Sequence, residues 1–177
     1  MKKIILLLIC FPFIINGQQL NLENSITISS GADGYGRPRI ALTNNSPLII
    51  WRKDNTPKTL RASKWNGVSF SQPYDICSSG ALPSSWDGPE LASKGDTVYV
   101  VFTSTATTQS SIMLLKSFDG GLSFSDTIRV SENNPSHKYR MGNIKIDNNG
   151  NPIVNYMQYL LNWSEPKQMV NRSIDFG

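Results

Sequence analysis

Ser117-Phe-Asp-Gly-Gly-Leu-Ser-Phe124 is the stretch whose reading decides the fold, because it recurs along the 177-residue chain at a nearly constant interval. Upstream, Ser63-Lys-Trp-Asn-Gly-Val-Ser-Phe70 keeps the frame with Trp65 in the place of the aspartate; downstream, Ser173-Ile-Asp-Phe-Gly177 starts a third copy. The leading serines Ser63, Ser117 and Ser173 stand 54 and 56 residues apart. A period of this size implies one supersecondary unit repeated in a stacked or radial array. Inside the box, Gly120 and Gly121 supply the positive φ that a tight hairpin needs. Asp119 is suited to accept hydrogen bonds from the turn amides. Ser117 closes one strand, and Phe124 returns a ring to the core as the next begins. Trp65 cannot accept such bonds, so the first box is expected to be looser or to recruit Asn66. The box is a structural device, expected between a third and a fourth strand, and carries no chemistry of its own.

Three segments align once the boxes set the frame. The first holds Arg39–Leu42, the turn at 44–46, Pro47–Trp51 and Lys58–Ser63. The second holds Pro89–Ala92, the turn at 94–96, Thr97–Thr103, Ser111–Ser117 and, after the box, Thr127–Val130. Thr97–Thr103 is the most strand-like run of the chain, dense in β-branched and aromatic residues. The third begins at Gly142–Ile146, turns at 148–151, and continues through Ile153–Tyr159 and Gln168–Ser173. Four short antiparallel strands per unit, with Asn/Gly-rich turns and no helical periodicity, describe a propeller blade. A β-sandwich would not place the same box after the third strand of each unit, and a parallel β-helix has a shorter repeat.

The pattern Ser-x-Asp-x-Gly-x-Ser/Thr-aromatic resembles the Asp box, or BNR repeat, of the sialidase-like β-propellers. The resemblance covers the chain after its leader and is most specific over 84–177. It implies an all-β propeller of six blades, of which about three four-stranded blades are present (36–76, 84–131 and 139–177, the last incomplete). The chain is therefore expected to be the N-terminal half of a longer protein, completed by further blades. Gly36-Arg-Pro-Arg-Ile40, Gly88-Pro-Glu-Leu-Ala92 and Asn151-Pro-Ile-Val154 also resemble exported propeller proteins of Bacteroidetes-type bacteria.

Composition bounds the remaining classes. Lys2-Lys3, the apolar run Ile4–Ile15 and the small, polar exit at Asn16-Gly17 read as a signal peptide over 1–17. The apolar run is too short to span a bilayer, so a secreted or cell-surface product with no transmembrane segment is expected after cleavage. A lipoprotein anchored at Cys10 is the less favoured route. Cys77 is then the sole cysteine, so no intrachain disulfide can form. The formal charge of +4 drops by two when Lys2 and Lys3 are removed, which gives no support for nucleic-acid binding.

The resemblance also implies where chemistry would sit. Sialidases carry an Arg-Ile-Pro motif in the first blade, whose arginine binds the substrate carboxylate; here Arg39-Ile40-Ala41 stands at that point, with alanine for proline. A guanidinium fork suits a carboxylate. Arg37 competes for the role, but Pro38 lacks an N–H and delays strand pairing until Arg39. Asp54, in Arg52-Lys-Asp-Asn-Thr-Pro57, matches the acid/base aspartate, and Arg39 and Asp54 are the expected catalytic pair. The other two arginines and the tyrosine–glutamate pair of a retaining sialidase would lie in later blades. The full-length protein would then be an exo-α-sialidase acting on extracellular sialoglycoconjugates. The open alternative is a non-catalytic propeller that binds glycans or serves as scaffold or adhesin. The alternative to the catalytic role of Arg39 is pairing with a carboxylate of the neighbouring blade.

No cofactor or metal site is expected, because His137 is the only histidine and no ligand-type residue stands at metal spacing. It is read as a solvent-facing loop residue. Trp86 and Asp87 could stand at the propeller rim, where a ring would stack on sugar, although packing between blades is the preferred reading for Trp86. Asn162-Trp-Ser164 and Asn171-Arg-Ser173 match the glycosylation sequon. Cys77 is read as a small filler.

Overall fold

The structure, a computed structural model, describes residues 25–31 and 36–177. The signal segment 1–17, Cys10 and the proposed cleavage point lie outside the described residues. Among the described residues eleven strands form three antiparallel sheets arranged as propeller blades. The first blade runs β1 (Arg39–Thr43), β2 (Ser46–Lys53), β3 (Thr59–Lys64) and β4 (Tyr74–Asp75). The second runs β5 (Glu90–Lys94), β6 (Thr97–Ser104), β7 (Ser111–Ser117) and β8 (Ile128–Arg129). The third contains β9 (His137–Ile146), β10 (Pro152–Leu160) and β11 (Lys167–Arg172). A 3-10 turn at Ser79–Ala81 joins the first blade to the second. Among the described residues no helix is long and apolar enough to cross a membrane. Pairing in each blade is between sequence neighbours only, so each is a meander, and the first strands β1, β5 and β9 lie side by side.

The blades hold together through β6. It is buried along nearly its whole length, so its two faces serve two different neighbours. Val98, Val100 and Phe102 join Leu48, Ile50, Leu60 and Ala62 of the first blade in one core. Tyr99 and Val101 turn the other way and join Tyr139, Ile144, Val154 and Tyr156 of the third blade in a second core. The period of two that places alternate side chains on opposite faces of a strand thus becomes a division of labour between interfaces. Each aliphatic side chain so buried contributes roughly 1.5–3 kcal/mol.

The boxes occupy the end of the blades where β5 turns into β6: Gly120 N donates to Asp96 O across 2.8 Å. The Asp119 carboxylate accepts from Leu122 N (2.9 Å) and Ser123 N (3.0 Å) through Oδ1, and from the Ser123 hydroxyl through Oδ2. Ser117 Oγ donates to Asp119 and accepts from Gly121 N at 2.8 Å. Burial pushes the Asp119 carboxyl up, but the hydrogen bonds from Ser123, Ser117 and Leu122 outweigh it and hold it well below the usual range. In the first box Asn66 Oδ1 captures the equivalent amides, Val68 N at 3.0 Å and Ser69 N at 2.9 Å. Asn66 therefore replaces the acceptor that Trp65 cannot be. The third copy repeats the opening, with Ser173 Oγ donating to Asp175 (2.7 Å) and accepting from Gly177 N (2.7 Å).

The second and third boxes also clasp the blade before them. Tyr74 of the first blade donates its hydroxyl to Gly121 O, and Tyr99 of the second donates to Phe176 O at 3.0 Å. Gly121 has φ 89°, and a Cβ there would lie 2.5 Å from Leu48 of the first blade. We expect Gly121→Ala to lower stability by roughly 1–3 kcal/mol from backbone strain alone, with more from the clash; an unchanged urea midpoint would contradict the clasp. Because the Asp119 carboxyl is held low, its stabilising contribution is present above its unfolded value of about 4 and is lost as pH falls. The stability gap between the wild-type protein and Asp119→Asn should therefore be widest near neutrality and narrow below about pH 4, as denaturation at a series of pH values would record.

Candidate functional site

At the end of the blades opposite the boxes, a cleft of about 470 Å³ opens where the inner strands begin. It draws residues from all three blades: Arg37 and Arg39, then Trp86, Asp87 and Glu90, then Arg140. Arg39 and Glu90 are the first residues of β1 and β5, so neighbouring inner strands present opposite charges at the same level. Arg39 donates to Glu90 Oε1 at 2.5 Å and to Pro38 O at 3.0 Å. That carboxylate raises the arginine's pKa above its ordinary value against the opposing effect of burial.

A β-bulge brings in the third blade. On β10, Asn155 pairs with Asn143 and Met157 with Arg140, so Tyr156 alone faces Met141 and Gly142 of β9. Met141 adopts φ 58° to make the bend. Arg140 then grips Asp87 with two bonds, Nε to Oδ2 at 3.0 Å and a terminal nitrogen to Oδ1 at 2.8 Å. Met141 N adds a third donor at 3.3 Å. The Asp87 side chain is only 8% exposed, so this bidentate pair is the stronger of the two.

Arg37 differs from its neighbours. It is exposed, it lines the cleft, and among the described residues no hydrogen bond or ion pair engages its guanidinium. Its stem lies over Gly88, where a Cβ would come 2.6 Å from Arg37 Cβ, so only glycine admits this packing. Trp86 beside it is 72% exposed. The preferred reading of Trp86 as a ring packed between blades is therefore corrected: the preceding loop, with Trp86 N bonded to Ser84 Oγ at 3.2 Å, holds the ring out at the rim.

Of the expected catalytic pair, Arg39 lines the cleft and Asp54 does not. Asp54 is ion-paired with Arg52 just beyond the end of β2. The register nevertheless places the two at one end of the blade: Arg39 pairs with Ile50, and β2 runs on past that pair to Lys53. Arg39 is also bound to a neighbouring blade's carboxylate, the alternative left open above. Arg140 escaped the sequence reading because β9 begins at His137 rather than at Gly142, and the bulge breaks the alternation by which strand starts are recognised.

His137 opens β9, half-buried and beside Tyr139 with ring centroids 6.3 Å apart, rather than sitting free in a loop. Cys77 accepts from Leu60 N at 3.3 Å, and burial pushes its thiol up. Asn171 donates to Val130 O at 2.8 Å, a tie between third and second blades.

No protein-family profile matches the chain, and no curated protein sequence matches it. Solved structures do. A protein of unknown function from Dyadobacter fermentans superposes with TM-score 0.64 at 12% identity, over 85% of this chain and 50% of that one. The Hadza microbial sialidase Hz136 superposes with TM-score 0.59 at 17% identity, over 79% of this chain and 35% of that one. An endo-arabinase from Bacteroides thetaiotaomicron gives TM-score 0.54 at 16% identity, over 85% and 56%. The chain spans less than two thirds of each of these structures. At such identities the likeness establishes the fold, a β-propeller of the kind used by glycosidases.

Two ion pairs of unequal burial lead to unequal sensitivity. Asp87→Ala leaves Arg140 and an amide without their acceptor and should cost about 2–3 kcal/mol. Glu90→Gln at the more exposed pair should cost under about 1 kcal/mol. Urea denaturation of both variants checks the order, and equal losses would contradict it.

Proposed function

We propose that this chain is part of an exported, sialidase-like BNR propeller that binds acidic extracellular glycans in the cleft at the mouth of its inner strands. The observation that carries the reading is the juxtaposition of Arg37, a cation with no ion-pair partner among the described residues, with an exposed ring, Trp86, in one cleft. A sugar ring stacks on an indole face, and a guanidinium takes a carboxylate through two parallel N–H bonds. With Arg39 and Arg140 held by Glu90 and Asp87, Arg37 is the group left to meet a ligand's charge. Similar structures run in the same direction. Besides the sialidase they include a PL25 ulvan lyase bound to a glucuronate-containing saccharide, matched with TM-score 0.56 at 10% identity.

Hydrolysis by the complete protein is the second reading, favoured by the register that puts Arg39 and Asp54 at one end of the first blade. In that scheme Arg39 would hold the carboxylate and Asp54 would protonate the leaving oxygen, with the nucleophile supplied by further blades. On the same reading residues 1–17 are removed on export, and the mature blades occupy 36–76, 84–131 and 139–177.

Titration calorimetry of the complete protein with glucuronic acid, sialyllactose and lactose separates these readings. The acidic sugars should bind and lactose should not, and Trp86→Ala or Arg37→Gln should each weaken binding about tenfold or more. Equal binding of lactose would remove the carboxylate from the argument. Release of sialic acid from a fluorogenic sialoside, lost in Asp54→Asn, would establish hydrolysis.

A further inference from the structure

A second cleft, of about 250 Å³, adjoins the first and shares Trp86 and Arg140 with it. It lies over the junction of the second and third blades, and it is lined further by Thr105, Ser110, Lys138 and Trp163. No acidic side chain lines it. Trp163 is held in place: its residue takes φ 67°, Tyr159 meets its ring edge-on at 5.6 Å, and Lys138 Nζ lies 4.4 Å from the ring centroid. The cation–π contact fixes Lys138 without neutralising its charge. Thr105 Oγ1 donates to Leu82 O at 3.0 Å and keeps lone pairs for a sugar hydroxyl. Ser110 Oγ is buried in the wall with no partner.

Trp86 thus stands between two cations, Arg37 in the first cleft and Lys138 in the second. We infer that the ligand is an acidic oligosaccharide, carrying carboxylate or sulfate groups on more than one residue, that lies across both clefts with a central sugar on Trp86. The inference rests on the reading of the first cleft as a glycan site. It extends that reading from one terminal acidic sugar to a chain that continues over the third blade. Arg37 meets one anionic group and Lys138 the next, while Trp163 and the threonine-bearing loop between β6 and β7 border the residue that Lys138 meets.

The test uses the complete protein and calorimetric titration with glucuronic acid, with tetrasaccharides of hyaluronan and of polygalacturonate, and with neutral chitotetraose. At least one acidic tetrasaccharide should bind about tenfold or more tighter than glucuronic acid, with chitotetraose far weaker. Lys138→Gln should lower that tetrasaccharide's affinity roughly threefold to tenfold and leave glucuronic acid unchanged, whereas Arg37→Gln should weaken both. Circular dichroism of each variant confirms that the blades are intact. Equal affinities for tetrasaccharides and monosaccharide, or a Lys138→Gln loss shared equally by both, would overturn the extended site while leaving the first cleft's reading in place. Binding of no acidic sugar at all would remove both.

Discussion

From Val98 to Phe102 every side chain of β6 is buried, alternate ones against the first blade and the third. A strand exposed on one side would alternate polar with apolar; this one has apolar residues at every position because it has no solvent side. The interfaces that follow fix the angle between neighbouring blades, and that angle sets the inner strands β1, β5 and β9 side by side. The cleft exists because these three strand starts converge.

The two ends of each blade are built by different physics. At one end the boxes close tight turns with short-range hydrogen bonds, within four residues of Asp119 or Ser117. Such bonds are local and repeat in sequence, so they are interchangeable between blades, as Asn66 shows by taking the place of an aspartate. At the other end side-chain ion pairs run between blades, and each is unique. Arg39 reaches Glu90 and Arg140 reaches Asp87 across more than 50 positions of sequence. The first end supports the fold, which leaves the second free to differ from blade to blade.

The ion pairs at the cleft also explain which cation is left without a carboxylate among the described residues. Two arginines are committed to carboxylates of the adjoining blade, so their charge is spent on holding the inner strands in register. Arg37, two residues before Arg39 and packed over Gly88, precedes the strand, and among the described residues it has no opposite number in the second blade. Lys138 keeps its charge for a different reason, since an indole ring stabilises a cation without discharging it.

Spacing of the Ser-x-Asp-x-Gly box was enough, by itself, to reveal a blade repeat and the place of the turn between third and fourth strands; for the first box the sequence left open a looser turn or the recruitment of Asn66, and the structure shows Asn66 as the acceptor. These are consequences of local chemistry: which residue can adopt positive φ and which side chain can accept a turn amide. The strand runs were legible for the same reason, with Ser111–Ser117 read to the residue and most ends misplaced by one position. The start of β9 was not legible, because the bulge at Met141–Gly142 depends on how β10 packs. Nor was the solvent exposure of Trp86, which a loop conformation decides. Above all, the partners of Arg39 and Arg140 lie 51 and 53 residues away, and no local pattern encodes a contact that exists only once three blades are packed around a common axis.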